Sequence, residues 1–108
     1  GTETELLIQL VRVGVVRVVV EASAAVVDLT DAPVTLTLVV NGAALDPVLM
    51  TRDVQTYAWQ APAAIWKTGM NRVGLRVSEA VSPAELGLSD DQRLLGMALR
   101  RLELHLTE

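Results

Sequence analysis

The segment that decides the fold reads VTLTLVVNG and spans residues 34–42. Its period-two alternation predicts a β-strand whose buried face carries Leu36, Leu38 and Val40. An Asn-Gly pair closes the segment, and both residue types tolerate the positive φ that a tight hairpin turn requires. The chain is therefore expected to reverse here and to continue as an antiparallel strand.

Alternation of the same kind recurs along the chain between short turn-rich stretches. In the strand that begins at Arg72, we expect Val73, Leu75 and Val77 to point inward and Arg72 and Arg76 to point outward. About six to eight strands with almost no helix predict an all-β sandwich or barrel. The further strands are expected at 5–11, 15–23, 44–50, 54–60 and 94–106, with a short one at 25–29, and single helical turns at 63–66 and 83–86.

The last strand changes phase part-way along. Leu102, Leu104 and Leu106 share one parity, whereas Met97 and Leu99 take the other. A β-bulge near residues 100–101 reconciles the two halves, because one extra residue reverses the face on which the following side chains lie.

Length and composition set the class of protein. The chain has 108 residues, of which 51% are hydrophobic, so we expect one domain spanning 1–108. The absence of cysteine excludes a disulfide scaffold and a cysteine zinc site. A net charge of −4 argues against a nucleic-acid partner, and no apolar stretch is long enough for a membrane span. Gly1 is interpreted as a tag remnant on a fragment of a longer protein, whose compartment, bacterial cytoplasm or cell envelope, stays open.

Two motifs carry a family resemblance. The strand ending in Asn41-Gly42, followed by Gly69-Met70-Asn71 at the opening of another strand, resembles galactose-binding-like and carbohydrate-binding β-sandwich modules. The stretch 82–99, which reads SPAELGLSDDQRLLGMAL, resembles the end of β-sandwich domains appended to bacterial glycosyltransferases and other cell-surface polysaccharide proteins. The resemblance implies an antiparallel jelly-roll sandwich that serves as a non-catalytic accessory module, with a glycan and a parent catalytic domain in cis as partners.

Aromatic side chains are scarce, with one tyrosine, two tryptophans and no phenylalanine. Sugar-binding faces commonly use aromatic rings, but a core of valine, leucine and alanine also needs large rings to fill it. Tyr57 and Trp59 share one strand face, and we expect them in the core. Trp66 follows a proline on a turn, so it either packs in the core or lies where ligands can reach it; if the domain binds a glycan, Trp66 is the expected stacking ring.

Arginines offer a second kind of ligand contact. Arg72 and Arg76, on one outward strand face, can bind acidic glycans or sugar hydroxyls in a bidentate manner. The alternative for them, and for Arg100 and Arg101, is pairing with carboxylates that keeps the strand edges soluble.

The connection before the last strand holds the acidic pair Asp90 and Asp91. We expect Asp91 to pair with Arg93 and pin this loop to the sandwich, so that no cofactor is needed. Calcium is the alternative, although calcium sites usually recruit more oxygen ligands than this loop offers.

No pattern of catalytic residues is present. His105 is the single histidine, and its place between two leucines predicts a solvent-facing strand position and no metal site. No nucleophile elbow, dinucleotide fingerprint or phosphate-binding loop occurs, so the chain is not expected to be an enzyme. Two functions remain: a carbohydrate-binding accessory module, or a structural or protein-interaction domain without a ligand. A row of exposed rings favours the first, and buried rings favour the second.

Overall fold

The computed structural model describes residues 2–24, 33–78 and 97–107. Within these ranges the chain forms two antiparallel sheets and one short 3-10 helix, Ala63–Ile65. The strands are β1 (Thr2–Leu10), β2 (Val15–Ser23), β3 (Thr35–Val40), β4 (Ala43–Ala44), β5 (Val48–Leu49), β6 (Gln55–Ala61), β7 (Gly69–Val77) and β8 (Ala98–Thr107).

The chain alternates between the sheets. The first sheet has the order β1-β7-β3-β4, with β5 also paired to β3, and the second has the order β6-β2-β8. Successive long strands thus lie in opposite sheets, which is the connectivity of a jelly roll. The predicted all-β antiparallel jelly-roll sandwich is confirmed, with eight strands in the described ranges. The predicted helical turn at 83–86 and the predicted short strand at 25–29 lie outside the described residues. Among the residues that the structure describes, no helix is long and apolar enough to cross a membrane.

The core lies between the inner faces of the two sheets. The predicted inward positions of β3 are fully buried, as are Val16, Val18 and Val20 of β2. Val73, Leu75 and Val77 of β7 are each at most 2% exposed, as their alternation predicted. Burial of these side chains supplies the main stabilisation, at about 1.5–3 kcal/mol for each large aliphatic side chain.

The predicted bulge in the last strand is confirmed. Glu21 of β2 pairs with Arg101 of β8, and its neighbour Ala22 pairs with Leu99, so Arg100 is the extra residue. The bulge turns Leu102 and the leucines after it toward the core.

One side of the sandwich is closed by the segment between β3 and β6. The predicted return strand is split into β4 and β5 by Asp46-Pro47, since proline lacks a donor for the ladder. The indole Nε1 of Trp59 donates a hydrogen bond to the Asp46 carbonyl at 2.9 Å, and the Tyr57 hydroxyl accepts one from the Thr51 amide at 3.1 Å. Trp59 is buried and Tyr57 is half-buried against the core, as predicted.

Asn41 anchors the hairpin of the first motif. It has a φ of 49°, the left-handed conformation that the turn was predicted to need. Its Oδ1 accepts a hydrogen bond from the Arg72 amide at 2.9 Å, and its Nδ2 donates to the Ile65 carbonyl at 2.9 Å. The hairpin is therefore tied to the start of β7.

Asn71 is the last residue of the Gly-x-Asn motif. It lies at the centre of the corner where the Asn41 hairpin meets the start of β7. Its side chain is fully buried, yet Nδ2 donates to the carbonyls of Lys67 and Gly69 at 2.8 and 3.0 Å. Its Oδ1 accepts hydrogen bonds from the Lys67 amide at 2.9 Å and from Asn41 Nδ2 at 2.8 Å. The two asparagines of the first motif thus contact each other and join the hairpin to β7.

Candidate functional site

Trp66 does not lie on the surface. Its amide donates to the Ala63 carbonyl and closes the 3-10 turn, and its ring enters the core, where the residue is 5% exposed. The expectation of an exposed stacking ring here is wrong, because a core of small aliphatic side chains takes in the large ring next to the turn. Its Nε1 is buried without a hydrogen-bond partner among the described residues.

Arg72 and Arg76 lie on the outer face of the first sheet, as predicted. They occupy alternate outward positions of β7 on either side of Gly74, about 13 Å apart at their Cα atoms. A glycine between two long side chains leaves a gap in the sheet surface. The sequence pattern Arg-x-Gly-x-Arg places this gap between two hydrogen-bond donors.

The gap is a shallow depression, which we call the outer-face site. Gly74 and Val39 form its floor, since Val39 is the cross-strand partner of Gly74 on β3. On the other side of β7, Glu5 lies opposite Gly74 and Glu3 lies opposite Arg76. The volume is about 180 Å³, and the lining consists of Glu3, Glu5, Val39, Gly42, Arg72, Gly74 and Arg76.

Each arginine of the outer-face site faces one glutamate. Arg72 Nε lies 3.5 Å from Glu5 Oε1, and one Nη of Arg76 lies 3.5 Å from Glu3 Oε2. Charge-assisted hydrogen bonds are usually shorter, at about 2.7–2.9 Å. The arginine side chains are 72% and 52% exposed, so both pairs are loosely joined and can rearrange at little cost.

Glycine at position 74 leaves space for the carboxylate of Glu3. A Cβ atom built at Gly74 would lie 2.6 Å from Glu3 Oε1, so the carboxylate rests directly on the bare backbone of the floor. Any larger residue at this position must move the carboxylate of Glu3 off the backbone of Gly74.

The outer-face site offers both halves of a hydrogen-bonding pattern. Guanidinium groups only donate, and ionised carboxylates only accept. A hydroxyl group does both, so a ligand with several hydroxyls can engage both residue types at once.

The sequence reading missed the glutamates and the glycine of this site. Residues 2–5 read Thr-Glu-Thr-Glu, whose alternation puts Glu3 and Glu5 on one strand face. That signal identifies a charged face but not its partner strand, which lies some seventy residues away (the register pairs Glu3 with Arg76).

A larger cleft, of about 530 Å³, lies at the end of the sandwich where β2 begins and β8 ends. Its lining is mainly aliphatic, with Val13, Val15 and Leu106 among the contacts. The outer-face site differs in being lined by two arginines that alternate with two glutamates, so the smaller depression is the better candidate for binding a polar ligand.

The other charged residues singled out in the sequence do not gather at this site. Arg100 and Arg101 are exposed on β8, where Arg100 Nε lies 3.9 Å from Glu21 and Arg101 lies 3.8 Å from Glu103. His105 is exposed and lies 3.3 Å from Glu103, at the solvent-facing position that was predicted. The acidic pair, Asp90 and Asp91, and the predicted partner Arg93 lie outside the described residues, so the predicted pairing and the calcium alternative stay predictions. Within the ranges that the structure describes, no three potential metal-ligating side chains come together.

Comparison with known proteins supports the fold. No family model matches the chain, and no curated protein matches it. Among solved structures, it is similar to the carbohydrate-binding module CBM36 in complex with calcium and xylotriose. The similarity covers 95% of this chain and 72% of that one, with a TM-score of 0.55 and 12% sequence identity. The chain therefore has a β-sandwich fold like that of a carbohydrate-binding module.

Proposed function

We propose that this domain binds glycans and performs no chemistry itself. It would act as an accessory module in cis to the catalytic domain of a bacterial glycosyltransferase or another polysaccharide protein. The observation that carries the proposal is the outer-face site, in which Arg72 and Arg76 alternate with two carboxylates around a bare backbone floor. The similarity to a module solved with xylotriose, and the motif at 82–99, support the same direction.

Sugar recognition at this site would depend on polar contacts. All three aromatic residues pack in or against the core, so ring stacking is not available as the main contact. The exposed guanidinium groups of Arg72 and Arg76 can each donate two parallel hydrogen bonds to neighbouring ligand oxygens. Such contacts to charged groups contribute about 1.5–3 kcal/mol each, which is enough for the weak binding typical of a single polar site.

The alternative is a structural or protein-interaction domain without a ligand. It is favoured by the same burial of Trp59 and Trp66, which leaves no aromatic platform on the surface. The two functions differ in one measurable property, namely whether any glycan binds to the isolated domain.

Replacing Arg72 or Arg76 by glutamine tests the proposal. We expect each variant to bind its glycan about tenfold more weakly or worse, because one charge-assisted contact is lost. Stability should change by less than about 1 kcal/mol, since both ion pairs are exposed. Binding is measured on a glycan array and by NMR titration of labelled domain, and stability by urea unfolding.

Arg100→Gln is the matched control. Arg100 has a similarly exposed side chain, at 63%, and a similarly loose ion pair, but it lies on the other sheet. It should bind as the wild type does. Equal loss in all three variants would mean that general charge, and not the outer-face site, attracts the glycan. No binding of the wild type to any glycan would leave the structural alternative.

A further inference from the structure

We infer that the outer-face site selects a single neutral sugar ring through vicinal hydroxyls, without calcium, and discriminates against acidic sugars. This inference rests on the proposed glycan-binding function and specifies its ligand class. It follows from the balance of charge, the size of the depression and the pairing of its carboxylates.

Charge balance argues against an acidic ligand. The site carries two arginines and two glutamates, and each arginine lies 3.5 Å from a glutamate oxygen. A ligand carboxylate that approached Arg72 would also approach Glu5, and one at Arg76 would approach Glu3. The repulsion from each glutamate opposes the attraction to its arginine, so an anion gains little.

Neutral vicinal hydroxyls satisfy the same groups. Each hydroxyl donates one hydrogen bond and accepts up to two. Two neighbouring hydroxyls can therefore accept from a guanidinium and donate to the adjacent carboxylate. The existing Arg–Glu contacts are long and exposed, so the side chains can move apart to admit ligand oxygens with little loss of stability.

The depression has room for one ring. Its volume of about 180 Å³ lies below the range of about 300–1,000 Å³ for pockets that bury drug-sized ligands, which favours a ligand as small as one sugar ring. Val39 contributes the apolar part of the lining, against which the C–H groups of that ring can pack, while the Glu3 carboxylate covers the backbone at Gly74. The site therefore suits a chain end or a side branch better than a long internal segment.

The outer-face site does not offer free carboxylate ligands for a calcium ion. Among the residues that the structure describes, the carboxylates in its lining are Glu3 and Glu5, and each is already paired with an arginine. A calcium ion prefers six to eight oxygen ligands and would lie next to two positive guanidinium groups. Recognition through the glutamates is thus expected to be direct.

The test compares neutral and acidic monosaccharides on the same labelled domain. The neutral probes are the methyl glycosides of xylose, glucose, galactose and mannose, and the acidic probes are methyl glucuronide and methyl galacturonide. We expect at least one neutral probe to shift the amide signals of Gly74 and its neighbours, with acidic probes binding at least tenfold more weakly. The affinity should change less than twofold on adding EDTA or on raising NaCl to high concentration, because the ligand is uncharged.

Two variants make the test sharper. In the double variant Glu3→Gln and Glu5→Gln the site becomes positive, so we expect the preference to reverse, with roughly two- to tenfold weaker neutral binding and stronger uronide binding. Gly74→Ala should lose neutral binding while keeping or raising stability, because its Cβ displaces Glu3 whereas alanine suits the strand better. Glu103→Gln on β8, which removes a paired carboxylate from the other sheet, is the control and should behave as the wild type does.

The outcomes separate the inference from the proposed function. Tighter binding of a uronide to the wild type, or loss of binding with EDTA, overturns the inference and leaves glycan binding intact. Binding that shifts only signals away from Gly74 and is unaffected by Gly74→Ala also overturns it. Failure of every monosaccharide and of every glycan on the array overturns both.

Discussion

Asn71→Ala is expected to lower the free energy of unfolding by about 3–5 kcal/mol, although the residue contacts no ligand. Its amide bridges the Lys67 amide, the carbonyls of Lys67 and Gly69, and the side chain of Asn41. Alanine removes the partner of the Lys67 and Gly69 backbone groups, and each polar group that is buried without a partner costs about 1–3 kcal/mol. Asn41 is exposed and keeps its hydrogen bond to the Ile65 carbonyl, and water can reach Lys67, so the total stays below the sum over every lost contact. The unfolding midpoint in a thermal melt should fall by about 12 °C or more.

The matched comparison is Asn41→Gly. Glycine keeps the positive φ of 49° at no steric cost, and Asn41 is exposed, so water can replace its hydrogen bonds. We expect a loss of about 1–2 kcal/mol, clearly smaller than for Asn71→Ala. Similar losses in the two variants would contradict the view that Asn71 is the buried centre of the corner and Asn41 its outer partner.

Period-two alternation carried most of the information about the fold. It gave the correct buried faces of β3 and β7, because a buried strand face must be apolar at every second residue. The phase change in the last strand located the bulge at Arg100 for the same reason, since only an inserted residue can return the later leucines to the core.

Only the arginines of the candidate site could be predicted from the alternation of residues along a strand. Arg72 and Arg76 were placed together because a strand brings alternate residues onto one face, which is a local property. Their partners Glu3 and Glu5 come from β1, and the register between β1 and β7 depends on the packing of the whole sandwich. The register between β1 and β7 therefore cannot be predicted from composition or residue spacing.

Trp66 was misassigned for a related reason. Its neighbours Pro62 and Lys67 are typical of a surface turn, and both are indeed exposed. The position of the ring is decided by close packing of the core, which depends on the side chains of all the strands together. A turn location thus predicts the exposure of the backbone better than that of a large apolar side chain.

The burial of Trp66 leads to the second large effect. Trp66→Ala should cost about 3–5 kcal/mol of stability, equal to the loss for Trp59→Ala, because both remove a large ring from a close-packed core. Urea unfolding of both variants measures this directly. A Trp66→Ala protein within about 1 kcal/mol of the wild type would contradict the core position of the ring.

Replacement by phenylalanine should separate the two tryptophans where alanine does not. Trp59→Phe gives up the hydrogen bond to the Asp46 carbonyl, whereas Trp66→Phe removes a buried N–H that has no partner among the described residues. Because an unpartnered buried donor costs about 1–3 kcal/mol, Trp66→Phe should be the less destabilising of the pair. If the alanine variants fail to fold, Trp59→Phe leaves Trp66 as the single indole, and its fluorescence should be blue-shifted and resistant to acrylamide. Emission at the wavelength of solvated tryptophan, with ready quenching, would return the ring to the surface and restore it as a stacking candidate.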